Sequence, residues 1–323
     1  MVFILKAAFS CFTLSSDDSS KVADCDDHIT SSSSSCCVKT FSWDEIKKGS
    51  NNFSKVIGSG GFSTVYLARL GALTAVKIQS SCTDRLARIH DQELQILLTL
   101  KHHPNIVNFV GHSSSCDDQD QRALLFEYAS NGTLHDKLHM LSWKQRTMIA
   151  FQLATALEYI HSLHIIHGDI KASNILLDQQ FNCKLCDFGS AKLGFTSMVL
   201  PPSSTKMNRM IMGSQGYIDP HYLKTGLVSK KNDIYSYGVI LLELITGREA
   251  FSMERGEKLT QIIGKVRIED MVDPRLMKYD VFDIEEVRAM VGVAGKCIGG
   301  SPAARPSATE IVTSMREIFT HLL

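Results

Sequence analysis

The sequence predicts an α+β chain of two lobes: a small antiparallel sheet lobe with one key helix, followed by a larger, mainly α-helical lobe. Three observations carry this reading. From Phe53 to Tyr128, short β-branched and aromatic runs alternate with Gly and polar turns. Within that stretch, Leu86, Ile89, Glu93, Leu97 and Leu100 recur at helical spacing. After Ser130-Asn131-Gly132 the apolar pattern becomes helical for the rest of the chain.

Residues 1–40 read as a disordered tail, because Ser and Asp dominate and no apolar periodicity offsets the entropy of ordering. The folded part is expected over 41–323, with the small lobe at about 53–128 and the large lobe at about 132–322. Strands are expected at Val56-Ile57, Thr64 to Leu67, Thr74 to Ile78, Ile106 to Val110 and Leu124 to Tyr128, with a polar hairpin loop from His112 to Gln121. Ser142 and Gln145 form a capping-box pair, and Ile149, Leu153, Leu157 and Ile160 continue it as an apolar helical stripe. Later helices are expected at Asp233 to Thr246, Ile284 to Cys297 and Ala308 to Leu322. The cleft between two such lobes suits a nucleotide.

The composition excludes several classes. With 44% hydrophobic and 21% charged residues in 323, the chain has enough apolar side chains for a large core. Lys plus Arg equals Asp plus Glu at 34 each, so no global field draws it to nucleic acid or to an anionic membrane. The nine cysteines have no framework spacing and read as reduced cytosolic thiols. Cys183-x-x-Cys186 lacks a second pair and reads as two core thiols rather than a metal site. His135-Asp136-Lys137-Leu138-His139 has zinc-like spacing without a third ligand and reads as a solvated helix. The apolar run at Met1 to Leu5 is too short to span a bilayer. Val2 rules out myristoylation, which leaves acylation of Cys11, Cys36 or Cys37 as the route to peripheral membrane attachment.

The chemistry lies in short words. Gly58-Ser59-Gly60-Gly61-Phe62-Ser63-Thr64-Val65, following Ile57, is a glycine-rich turn between two strands, which lets backbone amides approach phosphates. Alternation in Ala75-Val76-Lys77-Ile78 puts Ala75 and Lys77 on one face. Glu93 occupies the apolar stripe of its helix, where a carboxylate needs a partner, and Lys77 is the natural one. His167-Gly168-Asp169, Lys171, Asn174 and Asp187-Phe188-Gly189 place two carboxylates and one amide where they can converge on a metal-bound triphosphate. Lys171 can neutralise charge on the transferring phosphate.

Together with Gly213-Ser214-Gln215-Gly216-Tyr217-Ile218-Asp219-Pro220, Asp233 and Arg305-Pro306-Ser307, these residues resemble a eukaryotic protein kinase. Within that family they are most similar to the plant receptor-like kinases, and the resemblance covers Phe41 to about Leu322. It implies the bilobal protein-kinase fold with ATP and Mg2+ as cofactors. By resemblance Asp169 orients or deprotonates the acceptor hydroxyl, Asn174 and Asp187 hold magnesium, and Lys77 grips ATP. Phe126 would be the gatekeeper, Glu127 to Ala129 would offer backbone hydrogen bonds to adenine, and Val65, Ala75 and Leu176 would sandwich it. Lys171 and Ser214 are similar to those of Ser/Thr-specific members. Trp43 to Phe53 looks like the lead-in to the domain in plant receptor-like kinases, and a receptor-like cytoplasmic kinase is the resulting label.

Protein substrates with Ser or Thr acceptors and an upstream receptor kinase are the implied partners. The implied location is cytoplasmic, extending to the inner face of the plasma membrane. Two residues depart from the pattern. Gly168 stands where many kinases have Arg, so the cation that pairs with a phosphorylated activation loop is missing. His221 stands where the family usually has a Glu paired with Arg305, which predicts, unless another acid or water substitutes, an Arg without its carboxylate and a softened substrate-binding segment. A scaffold that does not turn over substrate is therefore the alternative reading, against which stands the full set of Lys77, Glu93, Asp169, Asn174 and Asp187.

Overall fold

Ser42 opens the first helix through a reciprocal cap: its hydroxyl accepts the Glu45 N–H while the Glu45 carboxylate accepts the Ser42 N–H. The computed structural model in which this is seen describes residues 38–60, 63–79, 83–113, 122–194, 198–199, 213–279 and 282–319. Before the cap lies β1 (Lys39–Phe41); after it come α1 (Trp43–Gly49), β2 (Val56–Ser59), β3 (Ser63–Leu70) and β4 (Ala72–Gln79). Then follow α2 (Asp84–Thr99), β5 (Phe109–Ser113) and β6 (Ala123–Glu127). The six strands form one sheet in the order β1-β5-β6-β4-β3-β2, antiparallel throughout except for the parallel β1–β5 pair.

Period-2 alternation divides the sheet between two cores. Ala68, Val76, Ala123 and Leu125 face outward onto Ile46 of α1, with Phe41, Trp43 and Phe53 at the margin. Trp43, Phe53 and Tyr66 stack in a chain with ring centroids 5.4 and 5.3 Å apart. Leu124, Phe126 and the half-buried Ala75 face the other way, into the core that Ile96 and Leu97 of α2 share with the large lobe. The segment expected only as a lead-in is thus part of the small lobe. Lys39 and Thr40, assigned from sequence to the tail, stand in β1, and a Cβ at Gly111 would overlap the Lys39 carbonyl.

The strand expected at Ile106 to Val110 begins later, at Phe109. Its first residues are taken by the large lobe: Val107 donates its N–H to Leu185 O at 2.9 Å, Leu185 N–H returns to Asn105 O at 2.9 Å, and the Asn105 side-chain amide donates to Cys183 O at 3.1 Å. Most of the polar loop expected at His112 to Gln121 lies outside the described residues.

The large lobe is built from α3 (Leu134–Lys137), α4 (Trp143–Ser162), β7 (Ile165–Ile166), β8 (Ile175–Leu177), β9 (Cys183–Leu185) and β10 (Lys192–Leu193). It continues with α5 (Pro220–Thr225), α6 (Lys230–Thr246), α7 (Ile268–Met271), α8 (Pro274–Tyr279), α9 (Ile284–Cys297) and α10 (Ala308–Ile318). The Ser142–Gln145 capping box forms as predicted, and Ile149, Leu153, Leu157 and Ile160 are fully buried against α6 and α10. Tyr237 of α6 donates to Ala150 O at 3.0 Å across that contact. Arg146, with no exposed surface, donates to the carbonyls of Leu138, Leu141 and Leu244 and to Asp273 Oδ2 at 2.7 Å, which satisfies its buried charge.

Candidate active site

Lys77 is carried inward by β4, and its Nζ lies 2.8 and 2.9 Å from the two carboxylate oxygens of Glu93 on α2. The same ammonium reaches Asp187 Oδ1 at 2.8 Å. Burial opposes charge on Lys77, yet the two carboxylates outweigh it and hold its pKa above the usual lysine value. Burial pushes Glu93 upward against the pull of Lys77, whereas Lys77 overcomes the burial of Asp187 and holds that carboxyl below the usual range. The pairing inferred from a carboxylate in an apolar stripe is present. The buried face of α2 is Leu86, His90, Glu93, Ile96 and Leu97, so His90 takes the inward place expected for Ile89.

Asp233 shapes the loop that carries the second carboxylate. From the start of α6, and 1% exposed, it accepts the N–H of His167 and of Gly168 at 2.9 Å each, and His161 Nε2 lies 2.9 Å away. His167 Nε2 donates to Cys186 O at 3.0 Å, and its ring packs on Phe188 with centroids 4.9 Å apart. The loop is therefore tied both to α6 and to the segment that presents Asp187. Asp187 itself holds φ +65°, a left-handed conformation costing about 1–3 kcal/mol for a residue with a side chain.

Asp169 sits at the centre of a small polar cluster. Lys171 Nζ is 2.7 Å from its Oδ2, Ser214 donates to Oδ1 at 3.0 Å, and Lys171 Nζ also reaches Ser214 Oγ at 3.0 Å. Asn174 donates its amide N–H to Asp169 O at 2.9 Å. The amide nitrogen being committed, the carbonyl oxygen of Asn174 is the half left for a hard cation, together with the Asp187 oxygen not used by Lys77. Both are hard oxygen donors of the kind a divalent metal takes.

The phosphate cradle passes a similar test. Gly58 and Gly60 flank the β2–β3 turn, closed by Gly60 N–H on Ser63 O at 2.8 Å, and Cβ atoms there would meet protein only at ordinary contact distances of 3.6 and 3.7 Å. Packing against the described residues does not demand these glycines, and their lack of a side chain leaves the backbone open to close approach by a ligand. Ser59, Ser63, Thr64 and Val65 lie in the flanking strands, with Ile57 half-buried, while Gly61 and Phe62 lie outside the described residues. Val65 is registered opposite Lys77, and Ala75 opposite Phe126. Ala75 and Leu176 are half-buried against the same core from the two lobes. The Glu127 side chain accepts Asn108 N–H at 3.0 Å and pairs with Lys184 at 2.9 Å, fixing the linker that leads to Ala129.

The expected loss at Arg305 does not occur. Asp219 supplies the carboxylate: its two oxygens take Arg305 Nη1 at 2.6 Å and Nη2 at 2.9 Å, and both side chains are at most 1% exposed. The same carboxylate accepts His221 N–H at 2.9 Å and the Asn232 amide at 2.9 Å, and Tyr235 stacks under the guanidinium at 5.1 Å. Asp219, legible in the sequence only as part of the Gly213 to Pro220 stretch, is the counter-ion, so the segment keeps a buried ion pair there. Cys183 is a buried free thiol and Cys186 a partly buried one, and burial pushes both well above the usual thiol range.

A lysine engaged by a helical glutamate, a carboxylate holding a hydroxyl, an amide–carboxylate pair open to a cation and a glycine turn free of packing demands define an ATP-dependent phosphotransferase architecture. The protein kinase domain model matches residues 52–315, and the chain belongs to the protein kinase family. The chain is 45% identical over 304 residues to a probable receptor-like protein kinase of Arabidopsis thaliana, covering 86% of this chain and 87% of that one. It is 46% identical over 301 residues to salt tolerance receptor-like cytoplasmic kinase 1 of Oryza sativa subsp. japonica, covering 87% and 80%. No helix among the described residues is long and apolar enough to cross a membrane.

Proposed function

We propose that the protein transfers the γ-phosphoryl group of Mg-ATP to serine and threonine hydroxyls of other proteins. The observation that carries this is the hydroxyl already resting on Asp169: Ser214 Oγ, 3.0 Å from Oδ1 and 3.0 Å from Lys171 Nζ, makes the contacts an acceptor hydroxyl needs. In this reading Asp169 orients the acceptor and takes its proton, the acceptor oxygen bonds to phosphorus, and the bond to ADP breaks. Lys171 offsets charge on the moving phosphoryl group. Lys77, held by Glu93, steadies the α and β phosphates. Asn174 and Asp187 would hold Mg2+, which supplies charge neutralisation when bound. Backbone groups of Gly58, Ser59 and Gly60 line the phosphates, Glu127 and Ala129 meet adenine, and Val65, Ala75 and Leu176 enclose it.

The place we assign to this activity is intracellular signalling downstream of plant receptor kinases, and the name of the rice relative supports it. Attachment at the inner face of the plasma membrane belongs to the same proposal. The scaffold alternative draws on Gly168 and on an unpaired Arg305, and the Asp219 pair weighs against the second of these. The test is incubation of the purified full chain with Mg-ATP and a protein substrate, with phosphosites mapped by mass spectrometry beside the Asp187→Asn variant. Incorporation on Ser or Thr in the wild type alone is expected; equal incorporation in both, or on Tyr alone, overturns the proposal.

A further inference from the structure

Glu93 reaches Lys77 only while α2 stays close to the segment that follows Asp187. We propose that Gln92 is a positioning residue whose side-chain amide, donating from Nε2 to Ala191 O at 2.7 Å, holds α2 in place without a phosphate on the activation segment. The inference rests on the kinase reading above.

Gln92 is the residue before Glu93, so a bond made there fixes the rotation and approach of the turn that presents Glu93. Its side chain is exposed and has water as an alternative partner, so burial does not force the choice of the Ala191 carbonyl. Ala191 is a rigid point of attachment. It has no exposed surface, its N–H closes a turn on Phe188 O at 2.9 Å, and the next two residues pair with Ile165–Ile166, which lead into His167-Gly168-Asp169. A donor on this carbonyl therefore couples α2 to both carboxylate-bearing loops. Between the two ends, a Cβ on Gly189 would stand 3.4 Å from both Glu93 Oε2 and Asp187 Oδ1, so the backbone lies directly against the ion pair.

Two other ties of α2 run elsewhere. Gln79 Nε2 donates to Leu86 O and Arg122 to Asp91 Oδ1, both at 2.5 Å, and these fasten the helix to its own sheet. Across the cleft, Gly168 has no side chain, holds φ +79°, and a Cβ there would lie 3.0 Å from Ser190 O. The catalytic loop thus contributes no cation at that position to restrain the segment after Asp187.

Gln92→Leu removes the donor at constant bulk, and Gln92→Lys keeps an N–H donor of similar reach. Position 92 is exposed, so the fold is retained and is checked by melting temperature. For dephosphorylated full-length protein, Gln92→Leu should lower kcat about 2- to 10-fold and raise the KM for ATP, with the KM for protein substrate unchanged. Amide hydrogen exchange across 92–99 should quicken in the same variant, and Gln92→Lys should recover most of both effects. Unchanged kcat and unchanged α2 exchange in Gln92→Leu overturn the proposal, as does a Lys variant as impaired as the Leu one. Should the wild type transfer no phosphate at all, the kinase reading fails, and the exchange comparison still decides whether this bond holds α2.

Discussion

Replacing Asp219 by Asn tests whether the buried Arg305 pair, rather than residue 221, carries the substrate-facing segment. The substitution keeps the size of the side chain and an acceptor for the His221 N–H, but it withdraws the charge facing a guanidinium that is 1% exposed. It also turns an NH2 group toward the Asn232 amide and Arg305 Nη1, both donors. Removing one partner of a buried pair costs about 3–5 kcal/mol, because the other charge is left uncompensated. For a folded body of roughly 280 residues, an unfolding entropy of about 2.1 cal/mol/K per residue makes that a fall in melting temperature of roughly 5–9 °C. His221→Glu is the control. With both Arg305 terminal nitrogens already on Asp219, a glutamate at 221 finds no free guanidinium edge and should change stability by no more than about 0.5 kcal/mol. Differential scanning calorimetry of the two variants beside wild type reads both numbers. A neutral Asp219→Asn together with a His221→Glu that melts more than about 2 °C higher would refute the assignment of Asp219 as the counter-ion.

Two further outcomes concern regulation and pH. Phosphate placed on Ser203, Ser204 or Thr205, which lie outside the described residues, should change kcat less than about threefold, since position 168 offers no cation to receive it. Gly168→Arg should not cure this cleanly: at φ +79°, with Ser190 O 3.0 Å from its Cβ, it should cost about 1–2 kcal/mol, read by urea unfolding. Glu243 is pushed up to about 8 by burial, despite donors from Tyr217 and the Ala250 N–H. Between the ordinary glutamate range and about pH 8 the unfolded chain has released a proton that the folded chain still holds, so this residue makes stability fall as pH rises. Glu243→Gln should therefore gain in melting temperature relative to wild type from pH 5 to pH 8, and a constant difference across that range would count against the raised value.

Much of this arrangement was legible because it is written in local spacing. Glu93 in an apolar stripe announced a partner, the Gly58 to Val65 turn announced a hairpin, and Ser142 with Gln145 announced a helix start. Period-2 alternation assigned Ala75 and Lys77 to one face, and the two faces of that strand do enter different cores. What escaped depends on contacts distant in sequence. Nothing near Lys39 predicts a parallel pairing with β5, whose visible trace is a glycine at 111 with no room for a Cβ. Ile106 and Val107 are apolar enough for a strand, yet their hydrogen bonds go to β9 in the other lobe. Gln92 looks like an ordinary surface residue, because only the fold brings Ala191 to it.

The misreading of Arg305 exposes a wider regularity in the large lobe. The family pattern supplies one expected position for the acid, and the departure at 221 predicts a lost charge only where no other acid substitutes. The fold instead uses buried acids as hubs, each surrounded by several donors: Asp233 by His161 and the amides of 167 and 168, Asp219 by Arg305, Asn232 and the amide of 221. Asp273 gathers Arg146 and Arg275, and Glu243 gathers Tyr217 and the amide of 250. A carboxylate out of water is tolerable only with this many donors. Many of the donors are backbone N–H groups or side chains far away in sequence, so residue type alone gives no warning of them. Two of these hubs, Asp233 and Asp219, directly grip the loop bearing Asp169 and the start of α5, and Tyr217 on Glu243 carries the segment between Ser214 and Asp219. The large lobe thus positions the residues around the acceptor hydroxyl through its own buried acids, ionised or, at Glu243, protonated, and a change at any one hub should be felt first in substrate geometry rather than in nucleotide binding, which the small lobe and α2 control.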